Sequence, residues 1–81
     1  MLRRHRGIVN FFLTEHAKKR CIRRKIRREW IARALEHPAR IEADPDDPDL
    51  VHVLCLIPER TFRALRVIYN ETADPVAIVT A

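Results

Sequence analysis

Apolar positions recur at helical spacing in the front half of this chain and at alternate positions in the back half. The run from Ile8 to Leu13 is apolar and β-prone, and predicts a short first strand. Thr14 then supplies an N-cap and Glu15 a first-turn carboxylate, so a helix starts here and continues to about Arg24. Ala17, Cys21 and Ile22 form its apolar face, and Ile26 is a connector residue pointing into the core. Trp30, Ile31, Ala34 and Leu35 stand at i, i+1, i+4 and i+5, which makes Arg27 to His37 a second amphipathic helix, ended by Pro38. The short link between them predicts a tight helix–turn–helix pair.

Beyond Pro38 the pattern is that of strands. Ala39 to Ala43, Leu50 to Ile57, Phe62 to Tyr69 and Val76 to Ala81 are separated by loops rich in Pro, Asp, Asn and Thr. Links this short predict an antiparallel meander. Val51, Val53, Cys55 and Ile57 point to one face, and Leu50, His52, Leu54 and Leu56 to the other. The expected fold is α+β: a helix pair packed on one face of a curled, mainly antiparallel sheet of four to five strands. Both faces are apolar, so the second is either partly roofed or an association surface. The 81 residues suit one small domain with a thin core, residues 1–7 forming a basic N-terminal arm.

Composition narrows the class. An apolar share of 47% with 33% charged residues is that of a folded protein. No apolar run is long enough for a membrane helix, and the first residues lack a signal peptide's core and cleavage site, so a cytoplasmic location is expected. Cys21 and Cys55 then read as buried, reduced thiols rather than a disulfide. Charge is uneven: residues 1–30 hold 11 Lys and Arg against 2 acids, and residues 31–81 hold 5 against 9. A basic front half is the electrostatic footprint of a nucleic-acid binder, or of a helix that docks on an acidic protein.

The cations are also ordered. His16, Arg20 and Arg24 fall four apart, so they stack along one helix face, where like charges repel. An anionic ligand such as a phosphate would relieve that repulsion. Arg63 and Arg66 differ by three and face opposite sides of a regular strand: Arg63 aligns with Leu65, Val67 and Tyr69, and Arg66 with Ala64 and Ile68. Spacing alone does not say which set meets the helices.

The pattern Leu13-Thr14-x-His16-Ala17-x-x-Arg20-x-x-x-Arg24-x-Ile26, followed by a helix ending at Pro38, resembles the opening of a family of bacterial domains of unknown function numbered 4258. Arg63-Ala64-Leu65-Arg66-Val67 and Ile78-Val79-Thr80-Ala81 match its closing strands, so the resemblance spans about residues 12 to 81. Lys25 stands where the family usually has glycine, which would strain a left-handed helix end there. The family's order of elements looks like that of the RelE/ParE/BrnT toxins, small basic proteins paired with an antitoxin. Several of those cleave RNA and others inhibit gyrase.

The resemblance therefore implies a toxin-like domain that binds nucleic acid, its enzymatic form being a metal-independent endoribonuclease of a toxin–antitoxin pair. The alternative is a non-enzymatic module that binds protein or nucleic acid; a third reading is a protein-directed inhibitor. RNA cleavage needs a base, an acid and cations for the phosphorane. His16 supplies the one imidazole of the stripe and is its candidate acid or base, and Arg20, Arg24, and Arg63 or Arg66 are suited to hold the phosphate. Lys19, Arg23 and Arg27 extend the binding surface, with Tyr69 and Thr80 adding hydrogen bonds. Structural roles compete with these: His16 as a buried helix-start residue bonded to backbone or sheet, Arg20 and Arg24 as packed stems bonded to strand carbonyls. An RNase predicts an exposed His16 beside arginines in a cleft. No cofactor or metal is expected: prolines break the acidic loop from Asp44 to Asp49, His52 lacks zinc-spaced partners, and Gly7 is the one glycine.

Overall fold

A computed structural model describes residues 10–81. The basic arm expected over 1–7, and Ile8 and Val9 of the first expected strand, lie outside the described residues. The chain forms β1 (Phe11–Leu13), α1 (Glu15–Arg24), α2 (Arg28–Glu36), β2 (Arg40–Ala43), β3 (Leu50–Ile57), a single 3₁₀ turn (Pro58–Arg60), β4 (Arg63–Asn70) and β5 (Val76–Thr80). The strands lie in the order β1-β5-β4-β3-β2 as one five-stranded open sheet. The meander from β2 to β5 is antiparallel, as its short links require, whereas β1 pairs with β5 in parallel. The sheet is thus mixed, and the architecture α+β.

Thr14 shows how the two ends of the chain are joined. Its hydroxyl oxygen accepts from the Ala17 amide at 3.2 Å, capping α1, and its O–H donates to the Ile78 carbonyl at 2.9 Å. One side chain therefore starts the helix and ties it to β5. At the other end of α1, Lys25 is left-handed (φ 56°, ψ 44°), with its amide bonded to Ile22 and the Ile26 amide to Cys21. This pair of bonds is a Schellman motif at a position glycine usually fills. It turns the chain so that Ile26 packs against the core.

The helices are closely linked, yet they pack on different strands: α1 over β5 and β1, α2 over β3 and β4. The sheet, rather than the facing helix, buries each apolar stripe. Ile31, Leu35, Val53, Val67 and Ile78 are fully enclosed between these layers, each such burial contributing about 1.5–3 kcal/mol. Cys21 and Cys55 are buried and unpaired, and burial raises the Cys21 thiol pKa. Ile22 is not part of this core. It lies about 100° around the helix from Cys21 and is 79% exposed.

Candidate nucleic-acid interface

Helix α1 rests on Ala17 and Cys21, and apart from half-buried Arg20 the rest of its residues face water. His16, Lys19, Arg23 and Arg24 are exposed and Arg20 is half-buried. At about 100° per residue these five positions share one continuous arc beside the buried edge. Among the described residues, the side chains of His16, Lys19, Arg23 and Arg24 make no hydrogen bond or ion pair. Arg20 packs its stem, as the structural reading expects, but bonds to no strand carbonyl: its buried Nε lacks an acceptor among the described residues. His16 is exposed, as an RNase would need, but it sits on the open helix face and does not line the cleft at the end of α1.

The stripe leads into a cleft of about 380 Å³ where α1 ends, lined by Arg24, Ile26, Trp30, Ile57, Arg60, Arg63, Ala64 and Leu65. Three guanidiniums thus border an apolar floor. Arg60 is committed: its Nη2 donates to the carbonyls of Arg24 at 2.9 Å and Lys25 at 2.7 Å, and its guanidinium lies 5.3 Å from the Trp30 ring centre. By satisfying these carbonyls it also offsets the partial negative charge at the end of α1. Arg24 and Arg63 have no such partner among the described residues and remain available to an anion. Arg27 approaches the same Trp30 ring at 5.9 Å and pairs with Glu29 at 3.5 Å, outside the cleft lining.

Strand register decides between the two arginines of β4. Arg63 stands opposite Ile57, in phase with Leu65, Val67 and Tyr69, all of which face the helices. Arg66 stands opposite Leu54 on the other side of the sheet. There it donates to Glu42 Oε1 at 2.9 Å and to His52 Nδ1 at 2.9 Å. Since a guanidinium can only donate, Nδ1 is the acceptor, and His52 Nε2–H donates to Asp44 Oδ2 at 2.8 Å. Arg66 is therefore separated from His16, Arg20, Arg24 and Arg63 by the sheet. Tyr69 is 3% exposed and its phenol pKa is raised by burial, so it is a core residue and not a contact surface. Thr80 stands opposite Ile68, on the face that carries Arg66.

The acidic loop folds on itself. Asp44 Oδ1 accepts from the amides of Asp46 and Asp47, each at 2.9 Å, while its other oxygen accepts a hydrogen bond from His52 Nε2–H. These bonds hold its carboxyl pKa below the ordinary carboxylate range, the His52 bond first. Among the described residues, no group of three His, Cys, Asp or Glu side chains could hold a metal ion. Sequence reasoning passed over Arg60 and Trp30, although Arg60 and Arg63 are two of only five cations in residues 31–81 and flank one turn. It weighed His52 and Asp44 only as metal ligands, because their partnership needs the β2–β3 pairing.

Fold and surface define a small α+β domain with a cationic helix face that opens into an arginine-lined cleft. The model of the domain of unknown function 4258 (DUF4258) matches residues 13–81, and the chain belongs to that family. No curated protein and no solved structure matches it. Among the described residues, no helix is long and apolar enough to cross a membrane.

Proposed function

We propose that this domain binds nucleic acid through the exposed arc of α1 and the cleft at its end. The observation that carries the reading is the run of cations from Arg20 through Arg24 to Arg63, whose side chains make no hydrogen bond or ion pair among the described residues, with Arg24 and Arg63 exposed to solvent. Phosphates along a strand can replace water at the exposed guanidiniums, whose forks suit their paired oxygens. Lys19 and Arg23 extend the same electrostatic surface. The test is binding of labelled RNA and DNA across a salt series. Arg24→Ala should reduce the slope of log affinity against log salt by about one, and the Lys19→Ala/Arg23→Ala pair by about two. A salt-independent affinity, or no binding at low salt, refutes the reading.

A second, enzymatic reading rests on the exposure of His16 one turn before Arg20. In an RNase, His16 would take the 2′-hydroxyl proton as that oxygen bonds to phosphorus and Arg20 steadies the phosphorane. The P–O5′ bond then breaks, the 5′-oxygen taking a proton from water to leave a 2′,3′-cyclic phosphate. Arg24 and Arg63 would hold flanking phosphates, because two helical turns, about 12 Å, separate His16 from Arg24. RNA incubated with the purified domain without added metal tests this: cleavage must vanish in both His16→Ala and Arg20→Ala variants of verified folding. A toxin–antitoxin role adds a protein partner. The sheet face opposite the helices, where Leu56 is exposed and Leu54 and Ile68 are half-buried, is the surface we assign to it.

A further inference from the structure

We infer that the cleft and the turn above it form a site for single-stranded nucleic acid, with phosphate at Arg24 and Arg63 and a base stacked on Phe62. The inference rests on the nucleic-acid reading above and names the form of its ligand. The chain leaves β3 through the 3₁₀ turn and enters β4 through Thr61 and Phe62, both left-handed, at φ 58° and φ 57°. A β-branched and an aromatic residue are poor choices for this region, where Asn and Gly are usual. The Phe62 amide bonds to the Ile57 carbonyl at 2.9 Å, so the conformation is held rather than loose. Its outcome is to leave Phe62 64% exposed, in the turn whose residues Arg60 and Arg63 line the cleft. Burial would be the ordinary fate of such a ring; here the turn that carries two of the cleft's arginines presents it to solvent.

An exposed aromatic next to phosphate-binding arginines is the arrangement by which proteins read unpaired strands, since only an unpaired base offers its π-face. A duplex keeps its bases stacked inside and would meet the arginines alone. The cleft's volume, about 380 Å³, lies in the range of small-ligand pockets, and its Ile26, Ile57 and Leu65 floor is apolar. It is large enough for one nucleotide rather than a helical groove.

The experiment compares labelled single strands of about 12 nucleotides, as RNA and as DNA of one sequence, with a duplex of equal length at fixed salt. Wild type should prefer a single strand, and the tighter of the two strands identifies the source. Phe62→Ala should weaken single-strand binding by about 10-fold and leave duplex binding unchanged, while Phe62→Trp retains it. Arg63→Ala should weaken both and lower the salt slope by about one. Because Phe62 is exposed, its replacement leaves the core intact, which an unchanged melting temperature verifies. Equal affinity for duplex and single strand, or an unaffected Phe62→Ala variant, overturns the inference while leaving the nucleic-acid reading in place. Failure of wild type to bind any of the three overturns both.

Discussion

Arg60 donates to the carbonyl of Arg24 at 2.9 Å, across 36 positions of sequence, and so joins the end of α1 to the turn between β3 and β4. The bond answers a need that every helix has, because its last carbonyls find no amide within the helix. A guanidinium is the suitable donor: planar, always charged, and able to reach the Lys25 carbonyl while lying over Trp30. Arg60→Ala should therefore lower stability by about 1–2 kcal/mol, with Arg60→Lys recovering only part. Urea unfolding monitored by Trp30 fluorescence measures it. A loss no greater than that of an ordinary surface substitution would show that the contacts contribute nothing.

Lys25 sits in the left-handed region with a Cβ that the conformation disfavours. Lys25→Gly should stabilise the domain by about 1 kcal/mol, since relief of the native strain outweighs the added freedom of the unfolded chain. The measurement is the urea midpoint at constant m. Destabilisation would mean that the lysine side chain has a role that outweighs its backbone cost.

Acid should loosen the fold in a defined window. Arg33 grips both oxygens of Glu59, at 3.1 and 3.0 Å, and this bond is the leading cause of a carboxyl pKa held down to about 2 from 4.5. Arg66 lowers the Glu42 pKa in the same direction, and His52 that of Asp44. A carboxylate with a depressed folded pKa adds stability above its unfolded value and loses it as pH falls toward the folded one. For Glu59 the loss runs from about 4.5 down to about 2. Glu59→Gln should be less stable than wild type at neutral pH and converge with it near the acid end, in melts taken across that range. Parallel curves would refute the assignment.

His52 should carry its proton on Nε2. Arg66 occupies Nδ1 at 2.9 Å and Asp44 accepts from Nε2 at 2.8 Å, which leaves one neutral tautomer. Imidazole nitrogen shifts in a ¹⁵N-labelled sample at neutral pH report this directly. Arg66→Ala should release the preference, and a wild-type ring with its proton on Nδ1 would exclude the network as described.

Much of this architecture was legible in residue order. Thr14 before Glu15, the i, i+1, i+4, i+5 stripe through Trp30 and Leu35, and Pro38 locate both helices to within a residue or so of their observed ends. Alternation through Val51, Val53, Cys55 and Ile57 separates the sheet's faces, and phase alone grouped Arg63 with Tyr69 and Arg66 with Ile68. The exposed α1 stripe belongs to the same category, because spacing along one helix sets angles around it.

What residue order could not supply is which elements meet. The parallel seat of β1 beside β5, the side of the sheet that takes Arg63, and the separation of Arg66 from the cleft depend on strand order and packing. So do Arg60 on the α1 carbonyls and the run from Asp44 through His52 and Arg66 to Glu42. Even Ile22, apolar by type, lies in water because the sheet meets α1 along Ala17 and Cys21. Periodicity is a property of one element and is written in its own residues. Partnership between elements is settled only when the whole chain buries its apolar faces together, and the candidate site is made of such partnerships.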